Sequence, residues 1–519
     1  MRIIGCIALF IYSSLTWAQV LPDSVWTDSR TGDKMHYEPV SLTDTVVKIK
    51  PKPLLAFAEG VAINAGVLSW DYFLFDNRNW AKVTMHSIRE NLKGSWEWDD
   101  DSFSGNQFSH PFHGSLFYNA ARENGLSYGQ SLIYPLIGST VWELFCENNH
   151  PAINDFFSTG IGGSAIGEAT HRISDLVFDN SKTGASRIFR EVAGSLLNPV
   201  RGAQRLFSGD MFRVDHNNRG KREAAAPYHF EVGFGDRYIA ETGTPHPEHG
   251  RKHSEHIPFI DFTLAYGDHF NHLDGGRTKP FDQFNIHALL NVGNDQPTFS
   301  ALEINGRIFS SQHSAPHNWL LDWGLYQNYK YIDNYWKGSE MRPGNLPLMS
   351  EAASFGGGLY AEHEGKTTLS NLLLISAVPM GCSTADYYTS PNLFGITELP
   401  NGKNIGKRRY NYGMGFSIRD NLEVNLNKTI TWGNRFYFMQ LYSWTGYNPE
   451  NVTYFQSGVM GDKGHQSILT DTFFAHIHCT KNLKLKLEYQ HYHRYGKYNY
   501  YPSLKAKSHE MKATLAYSI

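Results

Sequence analysis

From Tyr228 to Ile519 apolar and polar residues alternate with a period of two, as in Tyr228, Phe230, Val232 and Phe234, and this pattern occupies more than half of the 519-residue chain. A period of two belongs to strands whose two faces meet different surroundings. The pattern divides into twelve segments: 228–239, 257–268, 281–292, 299–311, 319–332, 353–361, 367–378, 410–431, 435–447, 471–480, 482–495 and 509–519. Each is roughly as long as a tilted membrane strand needs to be. Aromatic residues make up 14% of the chain, which suits many half-buried strands better than a bundle of membrane helices.

A barrel whose two ends lie on one side needs an even strand number and keeps its long loops on one side. The longest connections (240–256, 333–352, 379–409, 448–470 and 496–508) all follow odd-numbered segments, and tight turns are expected at 432–435 and 481–482. Segment 410–431 is too long for one crossing, but splitting it at Asp420 and Asn421 would break the parity, so it is kept whole. Met511, Ala513, Leu515, Tyr517 and Ile519 form the apolar face of the final strand, an outer-membrane assembly pattern except that such strands commonly end in an aromatic residue. Twelve strands are predicted, within bounds of 10–14.

The first part of the chain reads differently. Arg2, the apolar run Ile3 to Leu15 and small residues at Thr16 and Ala18 predict a secretory signal over 1–18, cut before Gln19. Residues 19–53 read as an extended leader. Over 54–215 small and apolar residues recur at three and four, as in Leu55, Ala58, Ala62, Ala65 and Gly66, which predicts a helical domain. Leu54 to Trp70 is nearly long enough to span a bilayer, but Glu59, Asn64 and Asp71 would be costly there, so a transmembrane helix is not expected. The whole chain is thus read as α+β: a helical domain that plugs the lumen or caps its periplasmic mouth, then an antiparallel transmembrane β-barrel over 225–519. Cys146, Cys382 and Cys479 remain after cleavage, an odd and widely spaced set that predicts no disulfide framework.

The polar residues of the helical domain are its richest feature. Glu143 and Glu147 are four apart, Glu168 and His171 three apart, and Arg172 and Asp175 continue the same helical surface. With His110, His113, Arg122 and Asp155 they make a candidate polar cluster, read as a hydrogen-bonded network that fixes short helices together. Glu143, Glu168 and His171 are expected to meet in one buried group, with Arg122 and Arg172 as partners. A single Glu-x-x-His is only half of a di-iron carboxylate pattern, and His110 and His113 are separated by a proline, so no metal is expected there. The glycines Gly160, Gly162, Gly163 and Gly167 lack a preceding strand and a following Lys-Ser/Thr, and are read as close helix packing rather than a phosphate loop.

The order His110-Pro111, Gly114, Tyr118, Ala121-Arg122, Gly125, Ser131, Gly138-Ser139, Trp142-Glu143, Glu147, Pro151, Asp155, Thr159, Gly162-Gly163 and Gly167-Glu168 resembles the envelope-protein family catalogued as domain of unknown function 3943, over about residues 105–175. The resemblance implies export and envelope architecture, and brings no catalytic residues.

Two further patterns carry chemistry. His465-Gln466-Ser467 has the His-x-Ser spacing of outer-membrane lipases, in which His takes the proton of an attacking Ser, but no orienting third group follows. Loop residues His246, His249, His253 and His256 are weak transition-metal candidates. The net charge of −3 leaves no basic field for nucleic acid. The reading is an exported protein of a Gram-negative outer membrane, a gated pore for transport or an envelope scaffold, with a lipid-modifying hydrolase as the alternative. Its expected partners are outer-membrane lipid and the barrel-assembly machinery; no cofactor is expected.

Overall fold

A computed structural model describes residues 25–27, 34–36, 46–74, 79–99, 101–224, 226–242, 254–271, 277–293, 297–334, 348–363, 365, 367–385, 410–427, 429–444 and 462–518. The signal segment, its cleavage site and most of the leader lie outside them, as do His246, His249 and His253.

Twelve antiparallel strands form a closed barrel: β1 (Tyr228–Glu241), β2 (Ser254–Tyr266), β3 (Phe284–Asn291), β4 (Phe299–Ala315), β5 (Trp319–Asp333), β6 (Leu348–His363), β7 (Thr367–Thr384), β8 (Tyr410–Leu426), β9 (Ile430–Ser443), β10 (Gly464–His478), β11 (Leu483–Tyr498) and β12 (Leu504–Ser518). Each pairs with the next, and β12 closes on β1 with Ser508 opposite Glu241 and Ser518 opposite Glu231. A short hairpin, Val25–Thr27 with Lys34–His36, meets the start of β1 where His36 faces Tyr228.

The expected parity holds: the chain enters β1 and leaves β12 at one end. Long connections gather at the other end, apart from 267–283, which lies at the entry end. Several boundaries differ from the sequence reading, β10 for instance starting at Gly464 rather than 471, and two of the differences have a visible cause. Segment 410–431 contains one strand and a turn: β8 stops at Leu426, Asn427 takes φ 52°, and β9 starts at Ile430, so the turn expected at 432–435 lies inside β9. Asn tolerates that left-handed conformation, and a turn this short leaves no gap in the alternation. Strand β6 begins at Leu348 rather than 353 because its register slips between Glu351 and Phe355, which swaps faces and hides the period of two.

The two faces of the wall are identified by what they reach. Arg419 of β8 pairs with Glu351 of β6 (2.8 Å), Lys486 of β11 with Asp261 of β2 (3.0 Å), and Lys330 of β5 lies over the Tyr437 ring of β9 (4.5 Å). Side chains on non-neighbouring strands meet like this only on the concave side, so charged residues fill the lumen. The alternate residues point outward. On β5, Trp323, Tyr329 and Tyr331 share that outward face, yet Trp323 is 54% exposed while Tyr329 and Tyr331 are 0% and 1%.

What covers those tyrosines is the helical part of the chain: α1 (Pro53–Leu74), α2 (Met85–Lys93), α3 (His110–Glu123), α4 (Ile133–Phe145), α5 (Gly163–Val177), α6 (Gly184–Leu197) and α7 (Pro199–Ser208). Local signals start and stop these helices: a Thr84/Ser87 capping box on α2, Pro111 in the first turn of α3, and on α7 an Asn198 cap and Gly209 at φ 78°. Helices α3 and α5 cross closely; a Cβ on Gly114 would run into the Thr159 carbonyl, and one on Gly163 into the Gly114 backbone.

The helical domain is neither the lumen plug nor the periplasmic cap expected from the sequence. It forms a layer on the outer wall. Phe103 packs on Tyr331 and Tyr410, Phe108 on Phe299, and Tyr128 on Phe281, while Gln327 donates to the Ile161 carbonyl (3.0 Å) and the Ser164 hydroxyl (2.8 Å). A lumen already filled by its own ion pairs has no room for a domain, and the outward face of the wall is where apolar surface remains to be buried.

Candidate functional site

Helix α3 has a polar group at each end. At its C-terminal end Arg122 donates to Glu168 (2.7 Å) and pairs with Glu223 (2.7 Å), Arg172 donates to Glu168 (2.9 Å), and the Tyr118 hydroxyl donates to the same carboxylate (2.8 Å). His171 Nδ1 meets Glu123 Oε1 (2.7 Å), and Arg201 pairs with Asp175 (2.8 Å), whose oxygens also accept from the backbone N–H groups of Arg222 and Glu223. Each carboxylate here faces a guanidinium or an imidazole. Burial works against ionisation, but Arg201 and His171 bring Glu123 down to about 2, and Arg122 and Arg172 hold Glu168 below the usual carboxylate range. The group is a charge-paired clasp that joins α3, α5 and α7, although Glu123 Oε2, His171 Nε2 and Arg201 Nε are buried without a hydrogen bond, and through Arg172 and the Pro280 carbonyl (2.8 Å) it also grips the barrel.

The group at the N-terminal end is built from His110, from Glu143 and Glu147 at the close of α4, from Asp155 on the short helix Ile153–Phe157, and from Asp99 and Asp101. His110 Nε2 lies 3.8 Å from both Asp101 Oδ2 and Asp155 Oδ1. The Trp142 indole N–H donates to Glu147 (2.5 Å), Ala152 N–H donates to Glu143 Oε2 (2.8 Å), and Asn154 donates to Asp155 (2.8 Å). The Glu143 Oε1 and His113 Nε2 atoms are buried without a hydrogen-bond partner.

Acid outweighs base in this second group, since His110 is the leading cation acting on Glu143, Glu147 and Asp155 alike. Burial and the neighbouring carboxylates push all three upward, Glu147 to about 7. Burial opposes a charge on His110, but Asp155 and Asp101 outweigh it and raise the imidazole well above its usual value; His113, buried beside His110, falls to about 3 and is neutral. Chemically the three carboxyls hold their protons more tightly than ordinary carboxyls do. Ligand atoms of Asp99, Asp101 and His110 lie within 4.8 Å of one another, a mixed oxygen and nitrogen set of the kind that suits a divalent cation.

The structure therefore splits the set expected to form one cluster. Arg122, Glu168, His171, Arg172 and Asp175 sit at one end of α3 and His110, Glu143, Glu147 and Asp155 at the other, about 20 Å apart for a helix of 14 residues. Spacing showed which residues share a helix face but not that α3 runs between them. Asp99, Asp101, Glu123, Glu223 and Arg201 were not singled out; Asp99 to Asp101 stand in a visible acidic run, while Glu123 and Arg201 resemble ordinary surface residues of an amphipathic helix.

The barrel's candidates fare differently. His465 and Ser467 share the outward face of β10, where Ser467 donates to Gln440 (2.5 Å) and His465 lies against the Tyr442 ring (5.7 Å), so the pair is engaged by β9 rather than arranged as nucleophile and base. His256 on β2 meets Asp236 at 2.6 Å on the exposed surface.

The family model for a domain of unknown function, DUF3943, matches residues 95–200, less than half of the chain, and takes in both polar groups apart from Arg201 and Glu223 of the clasp. No curated protein matches the sequence. Among solved structures, the P. putida toluene transporter TodX is 8% identical with a TM-score of 0.22, covering 56% of this chain and 89% of its own. The outer-membrane channel DcaP of Acinetobacter baumannii is 7% identical with a TM-score of 0.20, covering 56% and 96%.

Proposed function

We propose that this chain is an outer-membrane β-barrel of the Gram-negative envelope whose lumen stays shut and whose wall carries the helical layer: an envelope scaffold rather than a gated pore. The observation that supports it is the ion-paired lumen. The Arg419 and Tyr437 side chains converge on Glu351, Lys486 joins Asp261, and Arg237 joins Glu510 (3.2 Å) and Asn334 (3.0 Å), so side chains from strands around the wall close the bore. Breaking such buried pairs singly leaves an uncompensated charge and costs about 3–5 kcal/mol, which makes a spontaneous opening rare. The outward band of Phe234, Phe473, Leu487 and Leu515 supports a bilayer as the surroundings.

Planar-bilayer recording tests the scaffold reading. The wild-type protein is expected to give no sustained conductance, and the pair Arg419→Ala with Glu351→Ala to leak. A steady ohmic channel in the wild type would overturn the closed-scaffold reading in favour of a pore.

A further inference from the structure

The helical layer has its polarity reversed. Along α6 the residues Ile188, Val192 and Leu196 form a stripe at intervals of four that is 55–75% exposed, while Arg187, Arg190 and Glu191 on the other side are buried. A helix on a water-soluble domain shows the opposite arrangement. Helix α7 repeats it, with Arg201 and Arg205 buried and Leu206 and Phe207 exposed.

Helix α1 completes the pattern. Pro53–Phe73 has a mean hydropathy of 1.3, and Leu54, Phe57, Val61 and Phe73 are exposed. The polar groups that argued against a membrane helix are turned inward: Glu59 accepts from Asn124 (2.7 Å) and Gln204 (2.9 Å), Asn64 donates to the Gly138 carbonyl (3.1 Å), and Asp71 is buried. At its start Lys52 N–H donates to the Asn124 carbonyl beside the C-terminal end of α3, and just beyond its end Trp80 packs against Trp142 beside the N-terminal end of α3. Helix α1 thus runs the length of the layer, and its 22 residues cover about 33 Å, close to the roughly 30 Å of a bilayer's hydrocarbon core. The layer also sits on the same outward face as the apolar band of the barrel, so its exposed surface continues that band.

We infer that lipid acyl chains are the partner of this surface: the helical layer lies within the bilayer against the barrel wall, with α1 spanning it and the exposed faces of α1 and α6 in hydrocarbon. The charged clasp and Glu143 and Asp155 of the acid group then lie between that face and the barrel, which is where membrane proteins keep ionisable residues, while Asp101, 60% exposed, keeps the acid group open at the edge of the layer. The inference rests on the outer-membrane reading, and its test separates the two.

The full chain with Cys479→Ser is reconstituted in phosphatidylcholine vesicles and spin-labelled at one of three exposed positions, through Val61→Cys on α1, Val192→Cys on α6 or Leu487→Cys on β11. Labels at all three sites are expected to be relaxed by oxygen and shielded from a water-soluble nickel chelate. Leu487 shielded with Val61 and Val192 open to nickel would overturn the inference and leave the barrel in its membrane. All three open would overturn both. The unmodified protein offers a second measurement that needs no substitution: a diazirine-bearing phosphatidylcholine should mark peptides from 53–74 and 184–197 as strongly as those from β11, and marking of β11 alone would again refute the embedded layer.

Discussion

The two polar groups of the helical layer lie at opposite ends of one helix, and they are opposites in charge balance. At the C-terminal end of α3 each carboxylate has its cation, as Glu168 has Arg122 and Arg172; at the N-terminal end Glu143, Glu147 and Asp155 lean chiefly on one imidazole, His110. Burial alone therefore says little about the role of an ionisable residue. A balanced group resists change because every removal strands a partner, whereas an acid-rich group of the same depth is poised to take up protons or a cation.

Glu168→Leu should break the comparison most severely. It leaves the Arg122 and Arg172 guanidiniums to share Glu223 alone, and the expected cost to the helical layer is about 3 kcal/mol, read as faster proteolysis of 95–200 while the barrel keeps its resistance to heat. Glu168→Gln keeps one acceptor oxygen and the shape of the side chain, so it should cost less. Equal losses from both, or none, would show that the clasp is not what holds α3, α5 and α7 together.

The pH response sharpens the contrast, since the carboxylates of the two ends should respond with opposite sign. Glu123 falls from the ordinary 4.5 to about 2 on folding, so its contribution is complete above 4.5 and is lost as pH drops toward 2. Glu147 rises from 4.5 to about 7, so the folded state holds the proton more tightly and stability is lost as pH climbs from 4.5 to 7, by on the order of 3 kcal/mol. The raised imidazole of His110 acts in the same direction, its contribution being present below 6.5 and lost as pH rises through the folded value. Hydrogen-exchange protection factors should therefore decline at Ile153–Phe157 already between pH 5 and 6.5, while those at the C-terminal end of α3 stay level over that window, since His171, which Glu123 and Glu223 hold above its ordinary 6.5, gives up its contribution only at higher pH. Parallel profiles at the two ends between pH 5 and 6.5 would contradict the charge balance described.

These contrasts mark the limit of what residue pattern reveals. Alternation exposes the barrel and its strand parity because every second side chain between Tyr228 and Tyr517 meets a different medium. It is silent on Tyr329 and Tyr331, which occupy the same outward positions as Trp323; a ring that faces lipid and a ring that faces helices obey the same period. For that reason a plug or cap was expected where a wall-side layer is found. The turn at Asn427 and the register slips of β6 escaped notice because each is shorter than the period that would reveal it. At the candidate site, Glu143 and Glu168 share residue type, burial and a helical setting, and only the path of α3 assigns one to the acid-rich end and one to the clasp.

The smallest expected effect is the most discriminating. In Glu143→Gln the amide oxygen can still accept from Ala152 N–H, and the new amide NH2 replaces the buried and unpartnered Oε1 with a donor facing Glu147 and Asp155. At low pH, where the raised carboxyl holds its proton, the substitution changes little. Once rising pH strips that proton it removes one member of a like-charged set, and a gain of about 1 kcal/mol in local protection is expected, the scale of one ordinary hydrogen bond with its repulsion relieved. A loss in place of that gain would invert the reading, because a carboxylate that is needed in its charged form has a cation to hold. The acid-rich end would then be a binding site in use, and the difference between the two ends of α3 would be that one supplies its cations from its own arginines and the other takes its cation from solution.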